Sequence, residues 1–429
     1  MRLAVLFDHL GPYHRARLAA AAKNAKILAL EVRGRSQEYA WDPSESADGF
    51  DRITLLSENS LPGDLSTSLG NALDSFGPDV VVIPGWSGRA AFLAMSWCVR
   101  RRIPAVVMSE STAHDEARKG WQEWVKRRYL SLASAALVGG TPHRDYLRQL
   151  GMPDDRIFEG YDAVDNDYFA RESERWRSAD RSCPPYFLAS NRFIRKKNLF
   201  RLLAAYARYR NRHNEERKTK NKDRTNGPWP LVLLGDGEDK AVLLKHARSL
   251  GLTLAERAPW ESPTKHDAPG TKNEEPGTKN TREENPSVFL PGFRQIDELP
   301  RFYAHAGAFV HASTTEQWGL VVNEAMASGL PVVVSERCGC APDLVKEGEN
   351  GWTVDPFDEA ALAEKFHKVA LLPETERAAL GAASCRIIAN WGPAKFAEGL
   401  RTAAEKALAS PARKAGWFDH LLLRVLANR

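Results

Sequence analysis

The sequence predicts an α/β protein built from two doubly wound parallel-sheet domains. Three observations carry this. Short runs that are apolar throughout alternate with amphipathic stretches along the N-terminal half, and the alternation resumes after residue 185. A strand that is apolar at every position belongs in a sheet covered on both faces, as parallel sheets are. The 429 residues exceed what one core usually organises and suit two.

In the N-terminal half, strands are expected at Leu3–Phe7, Ile27–Val32, Val80–Pro84, Ala105–Met108 and Ala135–Val138. Helices are expected near Arg15–Asn24 and Ala90–Arg101. The turn after the first strand, Asp8-His-Leu-Gly-Pro-Tyr-His14, is not Gly-x-Gly-x-x-Gly, which weighs against a dinucleotide oxidoreductase. Gly11 ahead of a helix can still bring backbone close to a phosphate. The stretch Arg118-Lys-Gly-Trp-Gln-Glu-Trp-Val-Lys-Arg-Arg128 is a basic, aromatic helix. Its tryptophans are either anchored in the core behind a solvated face, or laid against anionic lipid. The polar stretch Arg171–Pro185 reads as a linker, which sets the first domain at 1–180.

The second domain, 186–390, opens on the strand Tyr186-Phe-Leu-Ala-Ser190. A basic turn holding Arg192 and Lys197 follows, then an amphipathic helix through Leu199, Leu202, Leu203 and Tyr206. Leu231-Val-Leu-Leu-Gly-Asp-Gly-Glu238 is a buried strand running into a tight turn at Gly235. Residues 211–228 and 263–285 are polar, and the second stretch contains Pro-Gly-Thr-Lys-Asn twice. Neither can bury enough surface to order itself, so both read as flexible insertions. The tail pairs Trp417/Phe418, Leu421/Leu422 and Val425/Leu426 every four residues, an apolar stripe suited to docking on the first domain or to membrane contact.

The most informative stretch is Glu316-Gln-Trp-Gly-Leu-Val-Val-Asn-Glu324. Buried strands at Ala308–His311 and Pro331–Val334 flank a helix of two to three turns, opening at Gly319 and closing at Gly329. That helix starts at the carboxyl edge of a parallel sheet, where open α/β folds bind ligands. The amides of Gly319, Leu320 and Val321 lack partners within the helix and suit a phosphate. Glu316 and Glu324 frame them, and a carboxylate accepts hydrogen bonds from a diol. The arrangement predicts a ligand with phosphate in the middle and hydroxyls at both ends, as in a nucleotide sugar.

A net charge of +5 is too mild for a nucleic-acid partner without a concentrated patch. Five scattered cysteines argue for a reducing compartment. No apolar run reaches the ~18 residues of a membrane span, and Met1-Arg-Leu-Ala-Val-Leu-Phe7 reads as a strand rather than a signal peptide. A cytoplasmic protein is expected, with peripheral contact at the inner face of the membrane as an option.

Several pieces together resemble the donor-binding core of the retaining glycosyltransferases of family 4, also called glycosyl transferases group 1. They are Val288-Phe-Leu-Pro-Gly-Phe293, Phe309-Val-His-Ala-Ser313, Glu316-x7-Glu324, Gly329-Leu-Pro-Val-Val and Gly348-Glu-Asn-Gly351. The resemblance implies the GT-B fold, two Rossmann-like domains facing a central cleft, with helices 391–429 packing back on the N-terminal one. It implies a retaining, hexosyltransferase-like enzyme that moves a sugar from a nucleotide-diphosphate donor to a glycan or lipid-linked acceptor, as in cell-surface polysaccharide or glycoconjugate synthesis. Glu316 would contact the transferred sugar and Glu324 the ribose. Arg192 and Lys197 match a family spacing and would neutralise the diphosphate, so no cofactor and no metal are expected. Gly11, Gly235 and Phe293 fall where the family meets the diphosphate, the nucleotide and the base. A histidine common in the family near the acceptor is replaced here by the Ser109–Glu110 region; His14, Ser109 and Glu110 are the acceptor-side candidates. A GT-B nucleotide-sugar epimerase and a binding protein without transferase activity are the alternatives.

Overall fold

The computed structural model describes residues 1–34, 49–57, 61, 63–116, 118–180, 183–219, 227–262, 286–410 and 414–428. The chain forms two compact units, Met1–Asp165 with Ala389–Arg429, and Asn166–Ile388.

The first unit carries seven parallel strands: β1 (Arg2–Phe7), β2 (Lys26–Arg33), β3 (Asp51–Leu56), β4 (Val80–Pro84), β5 (Ala105–Ser109), β6 (Ala135–Val138) and β7 (Ile157–Glu159). Their order is β3-β2-β1-β4-β5-β6-β7. Successive residues of a strand point to opposite faces, and both faces are covered. Ala4 and Leu6 join a core with Leu69, Leu73, Phe92 and Leu423. Leu3, Val5 and Phe7 join another with Leu18, Phe396, Leu400 and Ala403. The five interior strands fall where the sequence places them. The edge strands β3 and β7 escaped it, because β3 buries only its last two residues and β7 is three residues long.

The second unit repeats the plan with β8 (Tyr186–Ser190), β9 (Leu231–Leu234), β10 (Leu254–Ala255), β11 (Val288–Gly292), β12 (Ala306–His311), β13 (Val332–Ser335) and β14 (Gly351–Val354). The order is β10-β11-β9-β8-β12-β13-β14, again parallel throughout.

Four expectations need correction. Most of the expected linker is helix Asn166–Ala179, and it belongs to the second unit. Its Phe169 and Ser173 are buried one turn apart, and the Ser173 hydroxyl meets Ser328 Oγ at 2.9 Å and the Pro300 carbonyl at 3.2 Å. Its charged residues pair with one another along the outer face, as in Arg177–Glu174 at 2.6 Å, so the composition reads as a linker. The division between the units therefore falls at 165/166 rather than at 180–186, and at 388/389 rather than 390/391.

The expected insertion at 211–228 begins inside helix Leu199–Thr219. There Arg212 pairs with Glu216 at 3.0 Å and also with Glu364, which holds a polar stretch helical. Residues 220–226 and the whole of 263–285 lie outside the described residues. In the tail, helix Trp417–Ala427 docks through Leu423 and Ala427, leaving Trp417, Phe418, Leu421 and Val425 exposed. Buried Asp419 fixes that rotation by capping Gly416 and pairing with Arg128. In helix Gly120–Leu130, Trp121 and Trp124 face outward and are not core anchors.

Candidate active site

The second unit builds its site from three loops at the carboxyl edge of its sheet. β12 ends at His311, and the chain crosses to helix Leu320–Ala327. Gly319 caps that helix with φ +104°, a conformation that disfavours a side chain, and Gly329 ends it at φ +78°. Trp318 is fully buried and donates from Nε1 to Asn323 Oδ1 at 2.9 Å, which pins the loop to the helix it precedes.

The basic turn after β8 is stitched to the same loop. The Asn198 amide donates to the carbonyls of Ala312 (3.0 Å) and Pro356 (2.7 Å), and the Thr314 N–H donates to the Lys196 carbonyl at 2.9 Å. These bonds carry Lys197 to Glu316. The Lys197 ammonium donates to Glu316 Oε2, His311 Nε2 lies 3.0 Å from the same oxygen, and Ser313 Oγ donates to it from 3.2 Å. Both charged side chains are about one-eighth exposed. Burial raises the Glu316 carboxyl, but the Lys197 charge and the His311 hydrogen bond outweigh it and hold the group far below the usual carboxylate range. Burial keeps His311 neutral at neutral pH. Its Nε2 then carries the proton given to Glu316, and Phe309 stacks on the ring at 6.2 Å.

Glu324 is buried and accepts from the Tyr303 hydroxyl at 2.7 Å. Arg192 is half-buried in the basic turn, and Phe293 stands 39% exposed just after β11. Gly235 sits at φ +130°, and a Cβ there would lie 1.9 Å from the Asn191 carbonyl oxygen. Gly235→Ala should therefore cost about 2–4 kcal/mol, from overpacking and the left-handed backbone together. An unchanged denaturant midpoint would contradict this close approach.

The acceptor-side candidates lie in the first unit. Gly11 caps helix Pro12–Ala22 and donates its N–H to His14 Nδ1 at 3.1 Å. Burial, then the charges of Arg17 and His9, push His14 far down, so it serves the cap as a neutral ring. Ser109 ends β5 and accepts from the Ser111 N–H at 3.2 Å. Glu110 meets buried Asp162. Burial and then the Glu110 charge drive the Asp162 carboxyl well above its ordinary value. Arg17 closes this cluster, donating to the Ala163 carbonyl at 2.9 Å and lying 5.2 Å from the Tyr161 ring centre.

Sequence reasoning missed His311 and Ser313 as partners of Glu316, and Asp162 and Arg17 as partners of Glu110. For the first pair a signal was available: a histidine and a serine ending an otherwise apolar strand.

Comparison with known proteins fits this geometry. Residues 272–384 match the family described as glycosyl transferases group 1, and residues 11–158 match a glycosyl transferase 4-like domain. The chain belongs to the group 1 glycosyltransferases. The chain is 47% identical to the sulfoquinovosyl transferase of Arabidopsis thaliana over 76 residues, 17% of this chain and 14% of that one. It is 35% identical over 112 residues to spore coat protein SA of Bacillus subtilis, 25% of this chain and 29% of that one. The matches thus span less than a third of either relative. The Anabaena HepE structure in complex with UDP-glucose superposes with a TM-score of 0.65 at 17% identity, covering 94% of this chain and 98% of that one. The fold is GT-B.

Proposed function

We propose that this glycosyltransferase moves a sugar from a nucleoside-diphosphate donor to a glycan or lipid-linked acceptor with retention of anomeric configuration. The observation that carries the reading is Glu316, a largely buried carboxylate locked by Lys197, His311 and Ser313, three residues before a glycine-capped helix N-terminus. The HepE structure, with UDP-glucose bound on the same fold, supports the donor class.

In this reading the amides of 319–321, Arg192 and Lys197 take up the charge that grows on the diphosphate as the bond from the anomeric carbon to phosphate oxygen breaks. Arg192 can grip two oxygens, whereas Lys197 acts as a point charge. Glu316 accepts from sugar hydroxyls and Glu324 from the ribose. The acceptor hydroxyl attacks from the face the diphosphate leaves. Its proton passes to the departing phosphate oxygen, so no protein base is required. Glu110 is the residue an inverting route would recruit as base.

The test is NMR of the first-formed product from an α-linked donor. The α-linked product is expected. A β-linked product would overturn retention and make Glu110 the first residue to mutate. The donor is identified by a thermal-shift screen of nucleotide sugars, in which a ligand at ~100 times its dissociation constant adds about 2.7 kcal/mol.

A further inference from the structure

Six of the fourteen exposed large hydrophobic side chains among the described residues lie on two neighbouring helices of the first unit. Trp121 (57% exposed) and Trp124 (51%) stand on helix Gly120–Leu130; Trp417 (79%), Phe418, Leu421 (49%) and Val425 (48%) stand on helix Trp417–Ala427. Two contacts join the helices: the rings of Trp124 and Phe418 meet edge-on at 5.7 Å, and Arg128 donates to Asp419 at 2.7 Å. The second helix is held on its other side by Leu423 and Ala427 in the core, so the outward stripe is fixed rather than left over from a frayed end.

The exposed charged side chains on the two helices and immediately flanking them are cations. Lys119, Arg127, Lys414 and Arg424 are exposed beside the patch. The two helices contain only two carboxylates, and both are occupied. Glu123 is held by Lys126, Arg118 and the Tyr146 hydroxyl, and Asp419 is buried under Arg128. Aromatic rings and aliphatic side chains pointing outward, flanked by cations and with the carboxylates of both helices tied up in ion pairs, complement one kind of surface. Rings enter the boundary between headgroups and acyl chains while ammonium and guanidinium groups stay at the anionic headgroups.

We propose that this face docks the protein on an anionic lipid bilayer. The docking is independent of the donor chemistry, because every residue in it belongs to the first unit and none belongs to the proposed transfer machinery. A protein partner would typically cover such aromatic residues with a polar rim of mixed charge, which the two helices do not offer.

The test is flotation of the full chain with vesicles of phosphatidylcholine alone, or with about 30 mol% phosphatidylglycerol added to give the surface its negative charge. Binding is expected only to the anionic vesicles, and it should fade as salt rises toward ~1 M, where the screening length falls to about 3 Å. Replacing Lys119, Arg127, Lys414 and Arg424 by Gln should lower partitioning by about fivefold per charge. The triple variant Trp121→Ser, Trp417→Ser, Leu421→Ser should abolish binding, with a melting temperature close to the parent's because each of these side chains is about half exposed or more. Equal binding to both vesicle types, or unaltered binding by both variants, would overturn the proposal. So would a parent that fails to float but forms dimers that the triple variant cannot form, since the face would then belong to a second copy of the chain.

Discussion

Glu316→Gln should lower turnover by about 10²- to 10³-fold, the scale of losing one preorganised polar group in an active site, while nucleoside diphosphate still binds. Glu324→Gln should do the reverse, weakening donor and free nucleoside diphosphate alike with a smaller effect on the chemical step. The difference follows from position. Glu316 lies ahead of the helix N-terminus, on the side where the proposed sugar sits. Glu324 lies inside helix Leu320–Ala327, fixed by Tyr303 at 2.7 Å. The readouts are single-turnover rates and calorimetric titration with the nucleoside diphosphate. Equal loss of nucleotide affinity in both variants would remove the distinction between them.

The second large effect is on stability. Lys197→Met should cost about 3–5 kcal/mol, because it strands a buried carboxylate with only His311 and Ser313 for partners. The double variant Lys197→Met, Glu316→Leu should cost far less than the sum of the single changes, since it removes both desolvated charges at once. The effect depends on pH in a definite direction. The folded-state carboxyl of Glu316 lies below its unfolded value of about 4.5, so the wild type binds fewer protons there when folded. Its contribution is full above pH ~4.5 and is lost as pH falls toward the folded value. Without Lys197, burial dominates and raises the carboxyl, so the variant gains relative stability in acid. The gap between wild type and Lys197→Met, followed by urea unfolding, should be widest at neutral pH and shrink below pH ~4.5. A gap of constant size, or strictly additive single variants, would show that the two groups do not depend on each other.

What the sequence disclosed follows physical lines. Interior parallel strands are covered on both faces and so become uninterrupted apolar runs; β4 and β6 were found to the residue. Edge strands pair on one side only and need no such run, which is why β3, β7 and the two-residue β10 left little trace. Helix Asn166–Ala179 was hidden by its own surface, where six charged residues outnumber the Phe169–Ser173 face that docks it. In the candidate site, glycines and carboxylates announced themselves through local backbone logic, as Gly319 and Glu316 do. The partners that tune them did not. Lys197 reaches Glu316 across 119 residues, and no local pattern records that meeting. His311 was in view as the polar end of an apolar strand, a signal that marks the residue out without naming the carboxylate, five residues on, that its ring meets.

The ion pair also bears on which solutes the proposed donor site would take. Lys197 is already satisfied by Glu316, so a free inorganic anion arriving there must displace a carboxylate and then sit beside it, like charge against like. Phosphate and sulfate, abundant in any cell, gain little from such an exchange. A solute that offers an anion to Lys197 and hydroxyl donors to Glu316 together satisfies both partners as it separates them. In the proposed reading the closed pair therefore selects on composition, favouring molecules that carry both functions over those with one, before shape is read at all.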